Sequence, residues 1–142
     1  MYGSDPFPAG HDVTHEGKIV ATYRLGKWTF GGSFIYATGK PYTAPLGAYT
    51  VELLDDKTTD HFAVSNKNAF RLPDYHRLDL SMTHNFERFL GGKASAGLSL
   101  FNVYNRTNIW YKEYEVVDGV ILETDVKLLN FTPSLFFNWS IR

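Results

Sequence analysis

Residues Asn68–Asn108 read NAFRLPDYHRLDLSMTHNFERFLGGKASAGLSLFNVYNRTN, and their pattern predicts one long antiparallel hairpin. In the first strand, Tyr75–Asn85, mostly apolar side chains alternate with polar ones, so the strand has one apolar and one polar face. A break at Gly91-Gly92 separates it from the second strand, Ala94–Tyr104, where the alternation resumes. The polar face of this second strand begins with serine and glycine, which are too small to fill a protein core.

Both predicted strands are about ten residues long, which is the length that a tilted strand needs to cross a bilayer. Strands in soluble sandwiches average about five or six residues. An apolar face turned outward and a polar face turned inward is the pattern of an outer-membrane barrel. An ordinary soluble antiparallel sheet alternates in the same way and remains an alternative at this point.

Two motifs in this stretch resemble the C-terminal barrel of TonB-dependent outer-membrane receptors, especially those of the Bacteroidetes type. They are RLPDYHRLDLS at Arg71–Ser81 and LFNVYNRTN at Leu100–Asn108. The likeness extends upstream through YATGKPYT at Tyr36–Thr43 and downstream to PSLFFNWSIR at Pro133–Arg142. The order and spacing of the motifs carry the resemblance, since no single motif is highly specific.

The resemblance implies a large plugged barrel that takes up a scarce ligand, such as a siderophore, cobalamin, a glycan or a peptide. The implied partners are outer-membrane lipid, the barrel-assembly machinery and, through an N-terminal region, the TonB complex that supplies energy. Residues 1–142 are then expected to be the C-terminal segment of the barrel without its plug domain, in the outer membrane of a Gram-negative bacterium. Met1–Pro6 has no signal-peptide features, so either the chain is the C-terminal piece of a longer precursor or it is not an outer-membrane protein.

The composition limits the remaining possibilities. No run approaches eighteen apolar residues, which argues against a helical membrane protein. Aromatic residues make up 16% of the chain, a share that suits strands and membrane-interface belts. With a net charge of −1 and no basic block, nothing predicts a nucleic-acid partner. The absence of cysteine excludes disulfides and thiolate metal sites.

Three further strands are predicted outside the central hairpin, at Lys18–Leu25, Trp28–Thr38 and Ser134–Arg142. Gly26-Lys27 forms a tight turn between the first two. Strict alternation of direction joins the five strands into an antiparallel up-and-down meander. Since about eight strands are the minimum for a closed barrel, we expect an all-β fold that is an open fragment of a transmembrane β-barrel.

Two long connections separate these strands. Gly39–Asp74 lacks regular alternation and contains several prolines, so it is interpreted as a loop. Ile109–Leu129 contains Asp118-Gly119, a strong two-residue turn signal, and is expected to form an extracellular hairpin. The turn places two polar pairs in register: Lys112 with Asp125, and Tyr114 with Glu123. If the last strand ends in the periplasm, both short connections lie on that side and both long ones lie outside, as barrels require.

The same assignment divides the apolar side chains into expected roles. Those expected to face lipid are Ile19, Tyr23, Phe30, Phe34, Leu78, Leu80, Leu98, Leu100, Phe137 and Trp139. Those expected to form two interfacial belts are Tyr23, Trp28, Phe86 and Trp139 on the periplasmic side, and Tyr36, Tyr75, Tyr104 and Trp110 outside. Phe137, Trp139 and Ile141 resemble the C-terminal signal for barrel assembly, although the family usually ends in phenylalanine and this chain ends at Arg142.

No catalytic, cofactor or metal site is predicted. Ser81 and Asp79 share a strand face, but His76 and His84 lie on the opposite face, so they cannot form a triad. The acids and histidines at His11–Glu16 and at Asp55, Asp56, Asp60 and His61 are interpreted as solvated loops. Arg24, Arg77 and Asp79 are polar groups of the inner face, and Arg77 with Asp79 is interpreted as a structural ladder.

A soluble extracellular all-β binding module is the alternative function. Three Asn-x-Ser/Thr sequons, at Asn105, Asn130 and Asn138, suit a secreted glycoprotein, although Asn138 lies within a predicted strand. A barrel enzyme of the lipase or protease kind is a third possibility, and the separation of serine from histidine argues against it. The chain is therefore predicted to be non-enzymatic.

Overall fold

The computed structural model describes residues 6–52, 54, 58–117 and 120–141, and every regular element in this part of the chain is an antiparallel strand. The strands are β1 (Glu16–Leu25), β2 (Trp28–Ala37), β3 (Pro41–Tyr42), β4 (Pro45–Glu52), β5 (Thr58–Val64), β6 (Phe70–Arg71), β7 (Tyr75–Phe89), β8 (Gly92–Phe101), β9 (Ile109–Val117), β10 (Val120–Lys127) and β11 (Thr132–Ile141). These residues contain no helix long and apolar enough to span a membrane.

The chain divides into two compact units. The sheet unit consists of His15–Ala37, Tyr75–Asn108 and Leu129–Arg142. The ribbon unit consists of the residues up to Thr14 together with Thr38–Asp74 and Ile109–Leu128.

The sheet unit is one five-stranded antiparallel sheet in the order β1-β2-β7-β8-β11. Each strand pairs with the next strand of the unit along the chain, so the predicted antiparallel meander is confirmed. The two short connections lie at one end of the sheet, and the two long ones leave from the other end. The predicted separation of short and long connections is therefore present in the sheet.

Backbone conformation explains how the two tight turns form. Gly26 has a φ of 58°, the conformation needed at the first central position of a type II′ hairpin turn. The second turn contains only Leu90 and Gly91, with φ angles of 45° and 80°, as a type I′ turn requires. The central hairpin is consequently longer than predicted at its turn, because Phe89 still pairs with Gly92.

The far end of β8 differs from the prediction. The strand stops at Phe101 and not at Tyr104, because Asn102 adopts a φ of 53° that no strand can accommodate. The loop that follows turns back toward β7, and Val103 N–H donates to the carbonyl of Leu78 at 2.8 Å. The alternation predicted for Ala94–Tyr104 therefore does not continue past Phe101, because the strand ends there.

The sheet unit has no sealed hydrophobic centre. Every described residue of β1 and β11 is exposed, as expected for the two edge strands. In the whole described part of the chain, the buried aliphatic and aromatic residues other than proline are Leu72 and Ala94. A soluble sandwich of this size would bury one full face of the sheet against a second layer.

The ribbon unit corrects one prediction and confirms another. Residues 39–74 are not an irregular loop, because β4 and β5 form a hairpin there, above a short ladder between β3 and β6. Prolines begin β3 and β4, a position that strands tolerate, so the prolines did not exclude strands as the prediction assumed. Within the described residues, two hairpins, β4–β5 and β9–β10, are inserted along the chain between strands of the sheet, where one was expected.

The hairpin β9–β10 has the predicted register. Val117 pairs with Val120, Tyr114 with Glu123, and Lys112 with Asp125. The turn itself, Asp118-Gly119, lies outside the described residues.

Candidate functional site

The ten residues predicted to face lipid lie together on one face of the sheet. Directly paired residues of neighbouring strands point to the same side of a sheet. The register places all ten on the same side: Ile19, Tyr23, Phe30, Phe34, Leu78, Leu80, Leu98, Leu100, Phe137 and Trp139. We call this side the apolar face. It continues without a gap across all five strands.

The side chains of the apolar face are accessible. Ile19 is 67% exposed and Phe137 is 55% exposed, and none of the ten is buried. Five strands spaced by about 4.8 Å and about 33 Å long give the face an area of roughly 800 Å². The largest apolar patch on a typical soluble monomer is about 300–600 Å². A face of this size is expected to be covered by a partner or by lipid.

Aromatic rings cluster at the turn end of the apolar face. Trp28 and Phe86 lie on either side of His84, with ring centroids 4.4 and 4.5 Å from the imidazole. Trp139 extends the cluster, and its Nε1 donates to the carbonyl of Phe89 at 3.3 Å. These residues include three of the four predicted for the periplasmic belt. The fourth, Tyr23, pairs with Phe30 one row further into the sheet.

A second aromatic group lies at the opposite end. Tyr36 pairs with His76, and the hydroxyl of Tyr104 lies 2.7 Å from His76 Nδ1. Tyr75, also predicted for this belt, lies on the other face of the sheet, opposite Ala37. The belt residue Trp110 belongs to the ribbon unit.

The span between the two aromatic groups matches a bilayer. The ten residue steps from His76 to Phe86 along β7 cover about 33 Å. At the tilt of about 40° found in membrane barrels, this length projects to about 25 Å. The apolar band of such barrels is about 25 Å tall.

The other side of the sheet, the polar face, is lined by small and hydroxyl-bearing residues. One row crosses all five strands through Thr22, Gly31, Ser81, Ser99 and Ser134. A shallow depression lies over the centre of this row. Such side chains leave the polar face open to water.

Phe136 interrupts the alternation of β11, because it is an aromatic residue on the polar face. It pairs directly with Gly97 on the polar face. A Cβ atom on Gly97 would overlap the Phe136 ring, so the ring lies directly over the glycine. An aromatic ring over a strand glycine shields the exposed backbone and stabilises the pairing. The Phe136 ring therefore packs on Gly97 at the polar face.

Arg77 and Asp79 form an ion pair along one strand. Arg77 Nε donates to Asp79 Oδ2 at 2.9 Å, and the guanidinium lies 4.0 Å from the centre of the Phe101 ring. Asp79 Oδ1 also accepts from the backbone N–H of Asn102 at 2.9 Å. The pair therefore connects the polar face to the end of β8. Asp79 Oδ2 also accepts from Ser33 Oγ of β2 at 3.4 Å, so the pair is a structural support with contacts on both sides of β7.

The asparagines of the LFNVYNRTN motif have a structural role that the sequence pattern did not reveal. Asn102 is 0% exposed, and its amide accepts from the N–H of Arg106 at 3.0 Å and donates to the carbonyl of Arg106 at 2.8 Å. Asn105 Oδ1 accepts from the N–H of Phe131 at 2.9 Å. These bonds close the base of the long connection between β8 and β11.

Asn108 completes the exposed edge of β7. Its Oδ1 accepts from the N–H of His76 at 3.2 Å, and its Nδ2 donates to the carbonyl of His76 at 3.1 Å. The side chain thus supplies the two hydrogen bonds that a neighbouring strand would supply. Asn108 is 3% exposed, so water cannot readily replace it. The only sequence signal for this role is the repetition of asparagine after a strand.

The N-terminal segment is attached to the ribbon unit. Asn68 Nδ2 donates to the carbonyl of Pro8 at 2.6 Å, and Arg71 forms an ion pair with Asp12. Residues 11–15 form no regular element, as the interpretation of His11–Glu16 as a loop predicted, but Glu16 begins β1 and Asp12 pairs with Arg71.

The other predicted loop cluster is partly described. Asp60 accepts from Thr50 Oγ1 at 2.6 Å, and His61 stacks on Tyr49. Asp55 and Asp56 lie outside the described residues. Across the part of the chain that the structure describes, no three histidines or acids are placed to hold a metal ion.

The separation predicted for the serine and histidine side chains is present in the structure. Ser81 and Asp79 lie on the polar face, while His76 and His84 lie on the apolar face. The sheet itself separates the two pairs.

Strand β11 carries the residues predicted for the assembly signal. Phe137, Trp139 and Ile141 alternate along the apolar face and are exposed. On its inner side β11 pairs with β8, and it forms the outer edge of the sheet.

An ion cluster stabilises the ribbon unit. Lys112 forms ion pairs with Glu123 and Asp125, the latter at 3.0 Å. The hydrogen bonds to Glu123 and Asp125 raise the pKa of Lys112. Burial, with smaller contributions from Tyr42 and Glu123, raises the pKa of Tyr114 to about 12.

The geometry described above is that of an open sheet with a large accessible apolar face, a polar face and aromatic groups at both ends. A comparison of the chain with family models, with curated proteins and with solved structures finds no match in any of the three.

Proposed function

We propose that the sheet unit is part of the wall of a TonB-dependent transporter in the outer membrane of a Gram-negative bacterium. In this proposal the apolar face contacts lipid and the polar face lines an aqueous interior. The observation that carries the proposal is that ten apolar side chains share one continuous face, where seven of them are exposed and none is buried. At about 25 cal/mol per Å², leaving roughly 800 Å² of apolar surface in water costs on the order of 20 kcal/mol. Lipid removes this cost.

Three further observations support a membrane wall. The tight turns lie at one end of the sheet and the long connections at the other, which is the asymmetry of outer-membrane barrels. Aromatic groups lie at both ends, at a spacing that fits the apolar band. The two edge strands, β1 and β11, each have one side available for pairing with further strands.

The complete transporter would take up a scarce ligand of the siderophore, cobalamin, glycan or peptide class, with energy from the TonB complex. The part played by the sheet unit is structural: it forms wall, and Arg77 with Asp79 holds the end of β8 in place.

The orientation of the two faces can be tested with neighbouring residues of one strand. The chain has no cysteine, so Leu80→Cys and Ser81→Cys each carry a single spin label, on the apolar and the polar face respectively. The relaxation of each spin label is measured in membranes of producing cells. We expect oxygen, which dissolves in lipid, to relax the label at position 80 more strongly, and a water-soluble nickel complex to relax the label at position 81 more strongly. Both residues are exposed in the sheet, so they form a matched pair.

Two outcomes would contradict the proposal. If the chain is recovered without membranes in buffer that contains no detergent, the soluble binding module is favoured. If the label at position 80 is reached by the nickel complex as readily as the label at position 81, the apolar face does not contact lipid.

Strand β11 would act as the signal for barrel assembly in the same proposal. Trp139→Ser replaces an exposed aromatic residue of the apolar face. We expect this variant to lower the amount of folded protein in the membrane, measured as the fraction that changes its gel mobility on heating. Ser140→Thr, on the opposite face of the strand, is the control and should leave that fraction unchanged. Equal amounts of folded protein for both variants would contradict this role.

A further inference from the structure

The two faces of hairpin β9–β10 differ in burial. On the inner face, Lys112, Tyr114, Val116 and Ile121 are half-buried. Lys112 pairs with both Glu123 and Asp125, so its single positive charge offsets part of the negative charge on this side. The inner face is therefore the less accessible side of the hairpin, although Glu123 remains exposed.

The outer face is mostly exposed and combines apolar with acidic side chains. The register assigns its residues in pairs: Val117 with Val120, Glu115 with Leu122, Glu113 with Thr124, and Tyr111 with Val126. Val120 is 60% exposed and Leu122 is 48% exposed. Exposed aliphatic side chains at this density on a two-stranded ribbon favour contact with a partner.

The charge of the outer face has one sign. Glu113 accepts a hydrogen bond from the hydroxyl of Tyr111 at 3.3 Å. Within the described residues, neither Glu113 nor Glu115 pairs with a lysine, arginine or histidine. The two carboxylates follow each other at alternate positions of β9, about 6.6 Å apart, with Tyr111 before them and Val117 after them.

We propose that the outer face binds an extended, cationic polypeptide segment. Alternate residues of an extended chain point the same way and repeat every 6.6 Å or so, which matches the spacing of Glu113 and Glu115. Two basic side chains at alternate positions meet the two carboxylates, and an apolar side chain on each flank meets Tyr111 or Val117. The complementary partner therefore presents the order apolar, basic, basic, apolar along one face. This surface belongs to the ribbon unit and does not depend on the function proposed for the sheet.

A labelled peptide tests the proposal directly. Leu-Ser-Lys-Ser-Lys-Ser-Leu presents the required order on one face, and its binding to the full chain in nonionic micelles is measured by fluorescence anisotropy. We expect Glu113→Gln and Glu115→Gln each to weaken binding about two- to five-fold, the range for an exposed ion pair. Glu52→Gln removes an exposed carboxylate of hairpin β4–β5 and should leave binding unchanged. Raising the salt concentration should weaken binding to the unaltered chain.

Peptide controls separate charge from apolar contact. The peptide with glutamate in place of lysine should not bind, and the peptide with serine in place of leucine should bind more weakly. The proposal is overturned if the glutamate peptide binds as tightly as the lysine peptide. It is also overturned if Glu52→Gln weakens binding as much as Glu113→Gln, or if the lysine peptide shows no binding at millimolar concentration.

Discussion

Replacing Asn108 by alanine is expected to open the edge of β7. The substitution removes the hydrogen bonds of Asn108 to the N–H and the carbonyl of His76, at 3.2 and 3.1 Å. Each neutral hydrogen bond contributes about 1 kcal/mol, and a buried backbone group left without a partner costs about 1–3 kcal/mol more. Because Asn108 is 3% exposed, water replaces these bonds poorly. We therefore expect a local destabilisation of about 2–4 kcal/mol.

Hydrogen exchange measures this effect at the affected amide. A destabilisation of about 2–4 kcal/mol corresponds to an increase of roughly 30- to 1000-fold in the rate at which the His76 amide exchanges, since about 1.4 kcal/mol is tenfold. Asn130→Ala, at an exposed asparagine, is the control and should change the rate less than threefold. If Asn108→Ala changes the rate no more than Asn130→Ala does, the proposed role of Asn108 in completing the strand edge is wrong.

Three other perturbations have defined outcomes. In urea unfolding, Asn102→Ala should destabilise the chain by about 1 kcal/mol more than Asn102→Gly. Both variants lose the side-chain hydrogen bonds, but only alanine is strained at a φ of 53°. Equal losses of stability would contradict the expected strain. Leu90→Asn should stabilise by about 1 kcal/mol in the same assay, since asparagine tolerates a φ of 45° better than leucine, and a loss of stability would show that the leucine side chain is needed. Tyr114 has a pKa raised from 10.0 to about 12, so its contribution to stability is complete below pH 10 and is lost between pH 10 and 12. Tyr114→Phe should reduce the fall in stability between pH 10 and 12. The same substitution should remove one late-titrating phenol from the titration followed at 295 nm, and an unchanged titration would refute the raised pKa of Tyr114.

The apolar face and the antiparallel order of the sheet were predictable because they depend on local periodicity. Residues at alternate positions share a face whatever lies elsewhere in the chain, so Leu78 and Leu80 could be assigned together from their spacing alone. The same holds for hairpin β9–β10. There, the turn at Asp118-Gly119 sets the pairing of Lys112 with Asp125 through chain geometry.

The ribbon at residues 39–74 was not predictable in the same way. A two-stranded ribbon with little burial needs no apolar stripe, and β4 and β5 show none. The signal that identifies a strand facing a core or lipid is therefore missing. Prolines at the first positions of β3 and β4 were interpreted as loop residues for the same reason.

The alternation of apolar and polar residues, together with the turn residues, predicted an all-β fold with one continuous apolar face. Both features depend only on residues that are close together in the sequence. The tertiary structure decided the roles of Asn102, Asn108 and Phe136, whose partners lie up to 39 residues away along the chain. An asparagine side chain offers the same donor and acceptor in a loop as beside a strand. The residue type alone therefore does not specify the hydrogen-bond partner. Only the folded backbone brings the N–H and carbonyl of His76 within reach of Asn108.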